Sequence, residues 1–382
     1  MVALSTVPAE RRCRAAVAHG DGRFTLETLA VRAPGPGEVR VRIEAAGLCH
    51  TDIQSLHWPG PLVMGHEGAG TVEAVGPGVA HLQPGDAVVL NWAIPCGRCP
   101  RCTAGERHLC QRSLGVDPAL GLSEPEPAGT TWQGRPLGRA FRLGTFARWT
   151  LVRAEAATPL PDGPPAAQAC ILGCGVMTGV GSVINTARVQ PGDSVAVMGC
   201  GGVGLSALQG ARLAGAGLRI ALDRRPEALQ RALVFGATHT VKVDEGDEGW
   251  ARAVAAVQAL TGGAGCDHAF EATGVHALAF APLALVRHGG QALQLSGAHG
   301  VQPASMLDFW WDKRYLVPLY GGCNPGRDLP RLAGWAREGR LDLQGLITRE
   351  FRLDELHEAI DDLQAGRVVK AVMRFDAHEG GE

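Results

Sequence analysis

The stretch Ser194–Asp223, SVAVMGCGGVGLSALQGARLAGAGLRIALD, changes character at the spacing of a strand, a glycine turn, a helix and a second strand. Ser194–Met198 is a short apolar run of buried-strand type, introduced by the turn Pro191-Gly192-Asp193. Gly199, Gly201 and Gly204 follow as G-x-G-x-x-G, enclosing Gly202 and Val203, directly ahead of a helical run over Val203–Ala214. Each glycine has its own duty. Gly199 permits the tight turn, Gly201 lets a pyrophosphate approach the backbone at the helix amino terminus, and Gly204 lets the helix lie close on the sheet. The second strand, Leu218–Leu222, ends in Asp223, whose carboxylate can accept from both ribose hydroxyls of an adenosine and repel a 2′-phosphate, which favours NAD over NADP. Arg224 and Arg225 pull the other way, because a guanidinium could offset a phosphate's charge. On its own the glycine pattern marks a turn in a βαβ unit. Its position between strand and helix, with an acid closing the next strand, makes it a dinucleotide site.

Downstream, Asp267–Ala272 and Gln291–Ser296 read as strands with a helix over Val275–Arg287 between them. A doubly wound parallel sheet of about six strands is therefore expected over residues 181–322. Upstream, over residues 1–180, runs such as VRVRIEAAGL (39–48), GAGTVEAVG (68–76) and GDAVVLNWAI (85–94) are short strands divided by Gly and Pro, the pattern of a barrel-like β domain. Residues 115–140, rich in Gly, Pro, Glu and Thr, read as a long surface loop. From residue 323 to 382, a helical run ending at Gly339, the strand-like LITREF (346–351), amphipathic Leu353–Leu363 and a last strand, VVKAVMRF (368–375), are expected to rejoin the first domain.

The chain has 382 residues, 46% of them hydrophobic, enough for a large core and more than one domain. Net charge is −2 with no run of five like charges, so the composition carries no electrostatic footprint for nucleic acid or an anionic membrane, and small molecules are the expected partners. Pro8, Glu10, Arg11, Arg12 and Arg14 stand where a signal peptide needs an apolar core, and eleven cysteines suit a reducing compartment, which points to the cytoplasm. Pro164–Ala187 is uncharged, but Gln168, Asn185 and several glycines make it a buried segment rather than a membrane span.

Four cysteines fall within CGRCPRCTAGERHLC: Cys96, Cys99, Cys102 and Cys110, spaced C-x2-C-x2-C-x7-C. Four thiolates so placed can close tetrahedrally on one zinc ion, with Pro95, Gly97, Pro100 and Gly105 turning the loop (about 95–112) around it. Two disulfides or an iron–sulfur cluster are the alternatives. A closed four-thiolate site keeps no position for substrate, so its role is structural. Three further segments carry potential ligands: GLCHTD with Cys49, GHEGAGTVEAVGPGV with His66 and Glu67, and ILGCGVMTGVG with Cys174. Singly, a cysteine is most often a small buried hydrophobe and a His-Glu pair before glycine a turn. Together, Cys49, His66 and Cys174 form a three-ligand zinc set whose fourth position is open, the arrangement of a catalytic metal.

In this order, GLCHTD, GHEGAGTVEAVGPGV, the four-cysteine lobe, LGCGVMTGVGSVINTA, GCGGVG and GRVVKAV resemble the zinc-dependent medium-chain alcohol dehydrogenases over essentially the full chain, near the branch of the class III enzymes and the bacterial enzymes that include nicotinoproteins. The resemblance implies a GroES-like catalytic domain with a Rossmann domain, a catalytic zinc on Cys49, His66 and Cys174, a structural zinc in the lobe, and reversible hydride transfer between a primary alcohol and NAD. In the mechanism it implies, zinc acidifies the alcohol so that hydride can leave, and Thr51 takes the proton. Gln54 stands where the family places the relay histidine, and His57 could replace it. Asp52 would orient His66 and Glu67 would lie behind the metal. His50 and Lys370 match basic contacts to the coenzyme pyrophosphate, the bland reading of Lys370 being a solvated surface residue. Thr178 and Val203 match nicotinamide contacts. Trp92 matches a residue that narrows the alcohol site, implying an aliphatic, allylic or aromatic substrate. Leu114 replaces the arginine that class III enzymes use toward a glutathione adduct, which disfavours that substrate. Homodimers paired through the Rossmann sheet edge are common in this branch. Two other readings stay open: a nicotinoprotein with permanently bound NAD, and a catalytically silent protein that binds zinc and nucleotide.

Overall fold

The structure is a computed structural model that describes residues 9–113, 129–297 and 301–375. Its chain divides into two compact units, one formed by 1–174 with 324–382 and the other by 175–323. The crossing points therefore fall after Cys174 and Cys323, the first of them a few residues ahead of the expected position 180.

In the second unit, six strands form one sheet: Ser194–Met198 (β1), Leu218–Asp223 (β2), His239–Lys242 (β3), Cys266–Glu271 (β4), Val286–Gln294 (β5) and Arg314–Leu316 (β6). All five pairings are parallel, in the order β3-β2-β1-β4-β5-β6. The order reverses between β1 and β4, and in open parallel sheets ligands bind beyond the strand carboxyl ends at that switch point. Ala196, Met198, Ile220, Leu222, Ala269 and Ala292 build the core against which the helices pack. Helix α1, Gly202–Leu213, begins inside the glycine motif as expected. The helix expected over Val275–Arg287 is absent. Two short 3-10 turns, His276–Leu278 and Ala281–Ala284, occupy the segment before β5 starts at Val286. Pro282 is the reason: it has no N–H to donate and its ring obstructs the preceding turn.

The first unit holds two sheets. One has six strands, running from Arg135–Pro136 through Thr130–Trp132, Phe24–Arg32, Glu10–Ala18 and Leu62–Val63 to Gly138–Arg139. The surface loop expected over 115–140 is thus corrected from residue 130 onward, where paired strands replace it; residues 114–128 lie outside the described part. The second sheet is centred on Glu38–Leu48, flanked by Glu67–Val75 and Lys370–Arg374, with Trp149–Arg153 also paired to it. Its register sets Gly47 opposite Glu67 and Leu48 opposite Ala371, so the amino ends of two strands and the carboxyl end of a third converge at one place. The carboxyl-terminal segment thereby joins the first unit, as its sequence suggested. No single helix among the described residues is long and apolar enough to cross a membrane, and Ile171, Leu172, Val176, Met177 and Val180 are buried.

Candidate active site

The converging strand ends carry the chemistry. Cys49 follows Leu48 directly and caps the short helix His50–Ser55, while His66 and Glu67 enter the neighbouring strand. Cys174 arrives from a buried 3-10 turn, Cys170–Gly173, with backbone angles that belong to no regular element (φ −148, ψ −82). Ligand atoms of Cys49, His66, Glu67 and Cys174 all lie within 4.8 Å of one another. A single carboxylate orients two of these residues. Asp52, 1% exposed, accepts the Cys49 N–H at 2.9 Å through one oxygen and meets His66 Nδ1 at 2.7 Å through the other. That contact leaves His66 Nε2, which is buried without a hydrogen-bond partner. Two thiols and a preset imidazole nitrogen make a donor set suited to zinc rather than to a hard, oxygen-seeking cation.

Charge is distributed to match. Cys49 is held well below the ordinary thiol range, first by its interaction with Cys174 and then by His66, whereas that same interaction and burial push Cys174 well above it. Burial disfavours charge on His66, but Asp52 outweighs it and keeps the imidazole well above its usual value. Behind the ligands lies a buried ion pair. Lys370 Nζ donates to both Glu67 oxygens at 2.8 and 2.7 Å and to the Leu48 carbonyl at 3.2 Å. A methyl group on Gly47 would stand 2.1 Å from Glu67 Oε2, so the glycine clears space for this carboxylate.

Burial of Lys370 corrects one of the two readings its sequence position allowed, that of a surface residue. At 5% exposure it is not a solvated lysine: the Glu67 carboxylate pairs with it in the interior. His57 lies at the surface. It is exposed against Gly22 and faces a surface cavity of about 380 Å³ shared with Phe24, Leu56, His357 and Asp361. Thr51 Oγ1 lies 3.8 Å from Cys49 Sγ. His50 is exposed on the first helical turn.

Sequence reasoning also missed an aromatic wall. Phe141, to which the sequence assigned no role, has its ring centroid 4.8 Å from that of His66, 5.3 Å from Trp92 and 5.1 Å from Trp58. Its backbone is left-handed (φ 51), as is that of Arg142 (φ 61), a conformation that side chains other than glycine adopt only under constraint. Nothing local to Phe141 signals this.

The lobe cysteines form the other metal group. Cys96, Cys99, Cys102 and Cys110 are all buried, with ligand atoms within 4.8 Å of one another. The Cys96 N–H points to Cys110 Sγ at 3.2 Å and the Cys99 N–H to Cys96 Sγ at 3.4 Å, hydrogen bonds that stabilise thiolates. Gly97 (φ 72) and Gly105 (φ 84) make the left-handed turns that close the loop. The described cysteines are free, so disulfides do not account for the cluster.

In the second unit, a methyl group on Gly204 would lie 1.8 Å from the Gly199 carbonyl, whereas one on Gly201 would meet nothing within 4 Å. Helix and strand are thus in close contact while the helix amino terminus is open to a ligand. Asp223 accepts the N–H of Cys200 at 2.8 Å and of Arg225 at 2.9 Å, which ties the glycine turn to β2. Arg224 pairs with Glu245. Thr178, on the helix Gly175–Gly181, and Val203, on α1, are both half-buried.

The Alcohol dehydrogenase GroES-like domain profile matches residues 35–162, and the Zinc-binding dehydrogenase profile matches residues 202–335. An S-(hydroxymethyl)glutathione dehydrogenase of Escherichia coli O1:K1 is 35% identical over 376 residues, covering 95% of this chain and 100% of the relative. The chain belongs to the zinc-dependent medium-chain alcohol dehydrogenase family. Solved alcohol dehydrogenases agree. One is a zinc-binding domain protein from Burkholderia ambifaria, with TM-score 0.86, 33% identity and coverage of 96% of this chain and 100% of that one. Another, the benzyl alcohol dehydrogenase of Acinetobacter calcoaceticus, has TM-score 0.85 and 30% identity, with the same coverage of both chains. As an alcohol dehydrogenase of this family, the protein is an oxidoreductase that uses zinc and NAD, with a GroES-like and a Rossmann domain.

Proposed function

We propose that the enzyme oxidises an apolar primary alcohol with NAD and reduces the matching aldehyde in reverse, with flat allylic or aromatic alcohols preferred. The aromatic wall of Phe141, Trp92 and Trp58 beside His66 carries this reading, because such faces reward a planar apolar substrate by stacking and dispersion. Cys49, His66 and Cys174 would hold the zinc, which would supply Lewis-acid chemistry to the alcohol oxygen, with bound NAD as the hydride acceptor. Asp52 keeps His66 in the tautomer that leaves Nε2 as a ligand. The Thr51 hydroxyl would act as a relay, accepting the alcohol proton as it gives its own to the coenzyme ribose on the way to solvent, with His57 or Gln54 at the far end. Glu67 is not the base, since Lys370 holds both of its oxygens. Gly199, Gly201, Gly202, Val203 and Gly204 receive the coenzyme with Asp223, and His50 and Thr178 complete its contacts. We further infer a homodimer. Arg314–Leu316 is an edge strand among the described residues, and Trp310 and Trp311 beside it are 56% and 64% exposed, a combination that invites pairing with a second copy. Eleven free cysteines support a cytoplasmic location.

The Escherichia coli relative is named for S-(hydroxymethyl)glutathione and the Acinetobacter enzyme for benzyl alcohol. The aromatic wall favours the second type. Leu114, the position that bears on a glutathione adduct, lies outside the described residues. An alcohol panel with NAD and with NADP, run beside zinc analysis, tests the proposal. Benzylic and allylic alcohols are expected to exceed ethanol in kcat/KM by about tenfold or more, at about two zinc per chain. A higher kcat/KM for S-(hydroxymethyl)glutathione than for any simple alcohol would sink the substrate assignment. NADH that stays with the protein through gel filtration and turns over only with an added aldehyde would make it a nicotinoprotein.

A further inference from the structure

Glu271 ends β4 fully buried, and the reaction outlined above does not use it. Its carboxylate is the meeting point of two loops. One oxygen accepts the Thr273 N–H at 2.6 Å and the Thr273 hydroxyl, and the other accepts the Ser296 hydroxyl. Thr273 Oγ1 in turn accepts the Val275 N–H at 3.0 Å, and the Glu271 carbonyl accepts the Leu295 N–H at 2.8 Å. The loop so held reaches the dinucleotide motif. A methyl group on Gly199 would lie 2.8 Å from the Ala272 carbonyl oxygen and 2.9 Å from Thr273 Cα, and the Ala272 N–H bonds the Met198 carbonyl at 2.8 Å. On the other side, Gln294 Nε2 donates to the Ser296 carbonyl at 3.1 Å while its Oε1 accepts the Tyr315 hydroxyl at 2.6 Å. Burial and the nearby charge of Glu271 push that phenol up to about 12.

The network therefore spans the carboxyl ends of β1, β4, β5 and β6, the edge across which a coenzyme lies in a sheet of this order. Hydroxyl and amide donors satisfy the buried carboxylate, and removing any of them takes away a charge-assisted bond from a loop at that edge. We propose that Glu271 is a coenzyme-positioning residue: through Thr273 and Ser296 it locks the loops after β4 and β5 against the glycine turn, so that NAD meets a preformed edge. Preformed loops bind more tightly because their ordering cost falls on folding rather than on binding. The inference needs only NAD binding and is independent of which alcohol is oxidised.

Ser296→Ala and Thr273→Val each remove one hydroxyl donor while leaving Glu271 in place. NADH titration by fluorescence is expected to show a dissociation constant raised about tenfold in each, the equivalent of one lost charged hydrogen bond. KM for NAD should rise in parallel, with KM for the alcohol and zinc content unchanged. Glu271→Gln, which keeps an acceptor for the Thr273 N–H, is expected to fall between parent and Glu271→Ala. If Ser296→Ala and Thr273→Val both bind NADH within about twofold of the parent while melting at a lower temperature, the network merely stabilises the fold and the proposal fails.

Discussion

The two cysteine-bearing centres differ in how they are made. The lobe draws all four ligands from one stretch, Cys96 to Cys110, each buried, with backbone N–H groups turned to the sulfurs. Cys49, His66 and Cys174 come from three separate segments, two of them only partly buried, and are held by groups remote in sequence: Asp52 on the imidazole, Lys370 on Glu67 and Phe141 beside the ring. A local centre is closed and serves shape. A dispersed one keeps a ligand position open and relies on tertiary structure for its geometry, which suits it to chemistry.

Removing a ligand from each centre tests this contrast most severely. His66→Ala is expected to cut kcat/KM by about 10³ or more and lower zinc from about two to about one per chain, with little change in melting temperature. Cys102→Ser should instead destabilise the protein and release the lobe zinc. Equal loss of fold in both variants would erase the distinction. Next in size is Lys370→Met, which strands the Glu67 carboxylate in the interior and should cost about 3–5 kcal/mol in denaturant unfolding. Adding Glu67→Gln to it should recover most of that loss, since the uncompensated charge is then gone.

Asp52→Asn retains the shape but weakens the hold on His66, and zinc affinity measured by chelator competition should fall about 10–100-fold. The same treatment should leave the lobe zinc unaffected. Phe141→Gly relieves a left-handed backbone while removing the central ring of the wall. Activity on benzyl alcohol is expected to drop about tenfold and that on ethanol far less, while the melting temperature falls, because the lost ring packing outweighs the relieved backbone. The smallest effect lies away from both centres. Asp267 is pulled down to about 2: burial opposes its charge, but the Ser194 hydroxyl and N–H at 2.7 Å and Arg287 at 2.7 Å prevail. Its folded pKa is depressed, so the stability it contributes is complete above about pH 4 and is lost as pH falls toward 2. Asp267→Asn should flatten that part of a pH–melting curve without altering zinc content at neutral pH.

The glycine turn, the helix after it and the acid ending β2 were legible because each depends on neighbours a few residues away. The lobe was legible for the same reason. Misreadings arose where a local pattern met a stronger constraint, as at Pro282, which splits the expected helix into two short turns. The pairing of Lys370 with Glu67 was not legible, because the two stand 303 positions apart and no spacing rule connects them. Phe141 had no signal at all, since its left-handed backbone and its place beside His66 follow from packing.

By itself the sequence determined two domains, a dinucleotide edge and two sets of zinc-type donors, because glycine spacing, strand–helix alternation and thiolate spacing express short-range sterics and ligand chemistry. Tertiary structure alone decided what surrounds the dispersed set: which carboxylate turns the histidine, which cation neutralises Glu67, which ring lies beside the histidine and which buried acid ties the sheet-edge loops. Those pairings join residues far apart in the chain, and only the register of the strands and the packing of the core bring them within hydrogen-bond distance.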